Sequence, residues 1–284
     1  MGTSSMYTGP SKNPLLPNDF EGSGDSKQSN GVAPPNEGKQ QDNVDGGNNS
    51  SSNVINAPKT VTSWRSAKNA ITRYASGNSK NYKGALSRYV KAHGGAKAAS
   101  ASAKSGIKTT VNVGRFFNSV STQGFKETLN QAKIDYVGKS AKEILNEVIN
   151  YLAPIPVTKE DAVARKALIS TMEILYEKLE IEGKDITTLE SIDKEILNTI
   201  IPLQIESYIY ERIINDLGSR IETKSSSPAD AISKEKEIKE YINSKVETTF
   251  SGKDFSTIDY NDKNIEKEVE GLFTQCYKVM EDML

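Results

Sequence analysis

The chain holds one histidine, His93, and one cysteine, Cys276, among 284 residues. A structural zinc cluster needs about four such ligands, so none can form within this chain. Cys276 belongs to an apolar series, Ile265, Val269, Leu272, Cys276, Val279 and Met283, with steps of 4, 3, 4, 3 and 4. On a coiled-coil-like seam a thiol reads as a small buried hydrophobe rather than a nucleophile. His93 precedes Gly94 and Gly95, a helix-stopping pair, where an imidazole can help satisfy free carbonyls. A general base would need an orienting partner, and no residue can be assigned that role. The phosphate-cradling pattern Gly-x-x-x-x-Gly-Lys-Ser/Thr and the Gly-x-Ser-x-Gly elbow are both missing. These residues point to no catalysis, no metal and no cofactor.

Two other groups of residues retain chemical interest. The start Met1-Gly2-Thr3-Ser4-Ser5 places a small residue second, which favours removal of the initiator methionine. The freed glycine amine, with a reference pKa of roughly 7.7 to 8.0, is partly neutral and nucleophilic near pH 7. The same residues also read as an ordinary loose terminus. The second group is a pair of related segments, Thr72-Arg73-Tyr74 and Ser87-Arg88-Tyr89. Each Arg-Tyr pair offers a fork of donors beside an aromatic plane, the side-chain types enriched at interface hot spots. Arg73, Tyr74, Arg88 and Tyr89 are therefore expected at a partner surface, against the alternative that they stitch neighbouring parts of the chain together.

Charge is unevenly distributed. Residues 1–45 carry three Lys and six Asp or Glu; residues 46–126 carry thirteen Lys or Arg and no acid; residues 127–284 carry twenty basic and thirty-one acidic residues. A basic middle and an acidic body thus coexist in a chain of net charge -1. Such a middle either folds back on the acidic body or meets an outside polyanion. Interleaved Trp64, Tyr74, Tyr82 and Tyr89 would allow base stacking as well as phosphate neutralisation, although the spacing matches no nucleic-acid-binding fingerprint. The Lys/Glu alternation around Glu235, Glu237 and Glu240 reads as a solvated helix face.

The elements follow from periodicity. Residues 1–17 form a peptide without hydrophobic period, and residues 18–58, rich in Gly, Asn, Ser and Asp, form a disordered linker. Residues 59–126 are expected to be partly helical but poorly cored, with stops at Gly77 and at Gly94-Gly95; residues 106–124 fit helix or strand. Residues 127–284 are expected to form an acidic α-helical bundle. Ser140 and Glu143 make a capping box, Pro154 to Pro156 ends that run, and Thr158 caps the next helix, which Gly183 stops. A short helix is expected to end at Pro202, followed by a stripe from Ile205 to Ile221; Pro228 then opens a charged helix with Ile232, Ile238, Ile242 and Val246. The fold class is mainly α: a disordered N-terminal tail and linker, a basic, partly helical middle, and a C-terminal helical bundle. No apolar run is long enough to cross a membrane, the start matches neither a secretory signal nor a myristoylation site, and the lone cysteine suits a reducing compartment, so the expected location is cytoplasmic.

In layout, the Met1-Gly2-Thr3-Ser4-Ser5 start, Gly9-Pro10, Pro14-Leu15-Leu16-Pro17, the low-complexity linker, the two Arg-Tyr segments and the helical body together resemble the QatB family. This is the B component of the bacterial Qat anti-phage defence system. The resemblance implies three companions: an ATPase, a QueC-like enzyme and a TatD-like nuclease. It implies no catalysis by the B component itself. QueC-like chemistry activates a deazaguanine carboxylate with ATP for attack by an amine, and an exposed Gly2 amine is suitable. The expectation is a non-catalytic defence subunit whose Gly2, Thr3, Ser4 and Ser5 dock in, or are modified by, the QueC-like partner. The alternative is a nucleic-acid-binding adaptor acting through residues 59–126.

Overall fold

The computed structural model describes residues 63–181 and 193–282. The chain divides into two units, Met1–Thr60 and Val61–Leu284, and the described residues belong to the second. The peptide 1–17 with Gly2, Thr3, Ser4 and Ser5, the linker 18–58, the stop at Gly183 and the last seam residue Met283 lie outside the described residues.

Among the described residues, ten α-helices follow one another: α1 (Trp64–Ala75), α2 (Tyr82–Ala92), α3 (Ala96–Ala101), α4 (Lys104–Gln123), α5 (Phe125–Gln131), α6 (Ala141–Leu152), α7 (Lys159–Ile181), α8 (Ile196–Lys224), α9 (Pro228–Phe250) and α10 (Ile265–Glu281). A short 3-10 turn, Phe255–Thr257, precedes the last, and no strand occurs among the described residues. Side-chain caps fix several starts. The Ser140 hydroxyl accepts from the Glu143 N–H while Glu143 accepts from the Ser140 N–H, completing the capping box. Thr158 Oγ1 accepts from the Asp161 N–H at 3.0 Å, and Ser227 accepts from the Asp230 N–H with Pro228 in the first turn. Gly77, Gly94 and Gly95 take φ of 76°, 93° and 89°, the left-handed backbone that ends α1 and α2.

Helix α8 is the axis of the fold. It packs against α7, α9, α1 and α4, and its buried residues therefore lie around most of its circumference. Helix α10 packs against α3, α2, α4 and α9. The basic middle is thus part of one core: Ile71, Leu86, Val90, Ala99, Ile107, Val111 and Phe117 are all buried in the same cluster as Leu168, Leu217 and Leu272. The middle, expected to be poorly cored by itself, orders against the body, because α8 and α10 supply the apolar volume that α1 to α4 lack. The segment left open between helix and strand is α4. Its Gly106 and Gly114 allow two buried tyrosines to lie directly on the backbone: a Cβ there would sit 2.5 Å from Tyr208 and 2.1 Å from Tyr260.

Three local expectations are corrected. Pro202 lies inside α8 rather than ending a helix. It removes one backbone bond near the N-terminal turns, while Leu197, Ile200, Ile201 and Ile205 are buried on both sides of it and carry the helix through. Ile232 is exposed, because the six-residue step to Ile238 turns it about 120° off the buried face of α9. In α10, Phe273, Tyr277 and Met280 are buried beside the predicted seam, so the helix buries a face wider than a heptad stripe.

Candidate functional site

Of the four residues expected at a partner surface, only the arginines reach solvent. Arg73 is exposed and Arg88 half-buried, whereas Tyr74 is 4% exposed and Tyr89 fully buried. The tyrosines are corrected as surface contacts: their rings enter the core, and their hydroxyls need internal acceptors. Tyr74 donates to Glu237 at 2.9 Å on α9, and Tyr89 donates to Asp216 at 2.9 Å on α8. Burial, then these carboxylates, pushes both phenols above their ordinary range. Both Arg-Tyr pairs therefore turn the ring inward on adjoining helices, Tyr74 toward α9 and Tyr89 toward α8.

The Tyr89 ring leads to a polar seam on α8. Gln204, Tyr208, Arg212, Asp216 and Arg220 recur every four residues, drawing one line along the helix. Tyr208 donates to Glu160 at 3.0 Å on α7. Arg212 donates to the Ala99 carbonyl at 2.8 Å, to Ser102 Oγ at 2.7 Å and to the Tyr277 hydroxyl at 3.3 Å, joining α8 to α3 and α10. Asp216 accepts from Tyr89 and from Lys159 Nζ at 3.2 Å, joining α2 and α7. Arg220 donates to Thr72 Oγ1 at 3.3 Å on α1. Both polar atoms of the buried Gln204 amide are without a hydrogen-bond partner among the described residues. The apolar stripe from Ile205 to Ile221 was legible in the sequence; this polar stripe of the same period, one residue earlier, was missed.

Around His93 the seam comes nearest to a catalytic constellation. Its Nε2 lies 4.0 Å from Asp216, and its ring meets Trp64 and Tyr89 edge to face, each at 4.7 Å between centroids. Burial and the Arg212 charge hold the imidazole down at about 4, so it is neutral near pH 7, and Nε2 is buried without a hydrogen bond. It does not cap carbonyls as expected; it packs as a third aromatic ring. Cys276 is buried and its thiol is pushed up to about 12 by burial. Among the described residues no group of three His, Cys, Asp or Glu could hold a metal ion, and no helix is long and apolar enough to cross a membrane.

The middle thus docks on the acidic body through tyrosine hydroxyls, backbone and apolar packing, with Arg115 on the Tyr260 carbonyl and Lys83 over the Tyr241 ring. Arg65, Arg73, Lys80, Lys83, Arg88, Lys91, Lys97, Lys104, Lys108, Arg115 and Lys126 form no ion pair among the described residues. Lys166 with Glu211 and Lys234 with Asp230 are ion pairs within the body. The segregation seen in the sequence therefore persists on the folded surface.

A family model described as Qat anti-phage system associated protein QatB matches residues 94–280. The match spans roughly two thirds of the chain, and the chain belongs to that family. No curated protein and no solved structure matches it. The chain is accordingly a component of the Qat anti-phage defence system.

Proposed function

We propose that this chain is a non-catalytic, cytoplasmic subunit of its Qat system that presents its N-terminal peptide to the QueC-like component. The observation carrying the reading is how the body uses its polar side chains. Tyr89, Tyr208, Arg212 and Asp216 are each engaged in holding helices together, and His93 is kept neutral among aromatic rings. Such a body is a scaffold, and the chemistry falls to the peptide it carries. Gly2 offers an unhindered amine, and Thr3, Ser4 and Ser5 offer an extended, small, hydrogen-bonding backbone. As a substrate, the Gly2 nitrogen would bond to an activated deazaguanine carboxyl carbon and lose a proton while the activating group leaves. As a docking element, the same peptide would occupy the site without that step. Arg73 on α1 and Arg88 on α2, each next to a tyrosine locked in the core, serve as outer contacts for the assembled components, the ATPase and the TatD-like nuclease included.

Intact mass of the chain produced with and without the QueC-like component tests the first form directly, the expected result being a mass increase confined to Gly2. Gly2→Pro, or an added N-terminal tag, should abolish defence without changing the melting of the body. Full defence by a variant lacking residues 2–10 would overturn both forms.

Cations of residues 63–126 that form no ion pair among the described residues, Arg65, Arg73, Lys97 and Lys104 among them, support a second reading, a nucleic-acid-binding adaptor. Its mark is a steep fall of oligonucleotide affinity with salt, log K dropping by roughly 0.7 to 0.9 per phosphate neutralised for each unit of log salt. A flat salt response would remove it.

A further inference from the structure

A furrow runs along the outer face of α4 where that helix meets α5 and the loop from α6 to α7. It consists of two cavities, about 190 and 500 Å³, which share Asn112 and Leu152 as a saddle. Lys108 lines one cavity and Arg115 the other, one turn to either side of Asn112 on the same helix face. Neither cation forms an ion pair among the described residues; Arg115 uses Nε on the Tyr260 carbonyl at 2.9 Å. The nearby acids are already hydrogen-bonded, Asp161 doing so within the lining of the Lys108 cavity. Glu160 accepts from the Ser105 N–H and the Tyr208 hydroxyl, and Asp161 accepts from Ser105 Oγ at 2.6 Å and the Thr158 N–H at 2.9 Å.

Beside these cations the loop displays apolar side chains to water. Ile155 is 84% and Val157 94% exposed, and Tyr151 at the end of α6 is 54% exposed. The loop that carries them is held in shape. Asn112 Nδ2 donates to the Leu152 carbonyl at 3.0 Å, Arg165 donates to the Ala153 carbonyl and to Asn150 Oδ1, and Pro154 and Pro156 fix two backbone φ angles. An ordered loop loses little freedom when something covers it, which favours binding. Phosphates would satisfy Lys108 and Arg115 but gain nothing from Ile155 and Val157. A protein segment with both carboxylates and aliphatic side chains would satisfy all four.

We infer that this furrow docks an acidic, aliphatic-bearing segment of another component of the same Qat system, its carboxylates on Lys108 and Arg115 and its apolar side chains on Ile155 and Val157. The inference does not rest on the N-terminal reading.

The test measures binding of the purified full chain to each purified component of the system, and to a mixed-sequence single-stranded oligonucleotide, in parallel. One component should bind, and Lys108→Glu alone and Ile155→Ser with Val157→Ser should each weaken it about tenfold or more. These side chains are exposed, so the variants should melt like the parent; Arg115→Glu is the third variant, interpreted only if its melting is also unchanged. Hydrogen exchange on the bound component should show protection of a stretch carrying Asp or Glu beside Leu, Ile, Val or Phe. Gly2→Pro should bind unchanged. Binding indifferent to both furrow variants, or no component bound, overturns the inference. Loss with Gly2→Pro alone would do so while leaving the N-terminal reading standing. Oligonucleotide binding lost with Lys108→Glu, together with component binding that is not, would make the furrow a nucleic-acid surface instead.

Discussion

At the scale of single residues, the buried polar groups show why a search for reactive types finds little. His93 has a folded-state pKa of about 4 against an ordinary value of 6.5, set by burial first and by the Arg212 charge second. Its neutral form is favoured by folding, so that contribution is fully present above about pH 6.5 and is lost as pH falls toward 4. In that window the unfolded chain binds a proton that the folded chain refuses, and stability should fall by up to about 1.4 kcal/mol per pH unit from this group. His93→Phe keeps an aromatic ring against Trp64 and Tyr89 but cannot titrate. Urea melts at several pH values should therefore show the stability gap between parent and variant moving in the variant's favour between pH 6.5 and 4. A constant gap would mean that the imidazole is not held neutral. Arg212 supplies the contrasting case. Its three donors tie α8 to α3 and α10, and Arg212→Met leaves the Ala99 carbonyl without that bond, at a cost of about 3 kcal/mol. The melting temperature should drop by about 6 to 12 °C. Arg73→Met, exposed and without an ion pair, should change stability by less than about 0.5 kcal/mol.

At the scale of elements, helix starts and stops were the most legible features, because a cap is local chemistry. Ser140 with Glu143, Thr158, Ser227-Pro228, Gly77 and the Gly94-Gly95 pair all act where their residue types indicate. Features that depend on neighbours were not legible. Pro202 survives inside α8 because packing on both sides outweighs one missing bond, and α4 could not be assigned until α7, α8 and α10 were seen to bury it. Gly106 and Gly114 belong to the same class: nothing in their local sequence says that tyrosines distant in the chain will rest on them. Gly114→Ala would place a methyl 2.1 Å from a Tyr260 ring carbon. Tyr260 is fully buried, its hydroxyl donates to Phe255 and its carbonyl accepts from Arg115, so it has little room to yield. The variant should lose about 3 kcal/mol or more, read as a lower melting temperature. Gly271→Ala is the matched control. It lies in α10 with nothing near the added methyl, and should gain about 0.5 to 1 kcal/mol from helix propensity alone.

At the scale of the whole molecule, the sequence correctly showed that charge is segregated, and left open whether the basic middle folds back or faces outward. It does both, because adjacent residues serve the two ends: Tyr74 and Tyr89 bind the body while Arg73 is exposed and Arg88 half-buried. The family resemblance rested most on the N-terminal peptide and the Arg-Tyr segments, whereas the family match begins at residue 94, beyond both. The matched span therefore covers most of the seam and the furrow, and a fold-level prediction can be made without the peptide. Helices α1 and α2 lie wholly outside the match, yet they cover α8 and α10 and bury Ile71, Tyr74, Leu86, Tyr89 and Val90 against them. A chain starting at Ser63 retains every one of these contacts and should melt cooperatively within about 1 °C of the full chain, since a shift that small corresponds to less than about 0.5 kcal/mol. A chain starting at Gly94 matches the family model but strips α1 and α2 from the core. Removing so many buried side chains exceeds the typical margin of about 5 to 15 kcal/mol by which a domain is stable. It should fail to fold, and circular dichroism with thermal melts on the two truncations decides the matter. If the shorter chain melts like the longer one, α1 and α2 are an appendage rather than half of the core's outer layer.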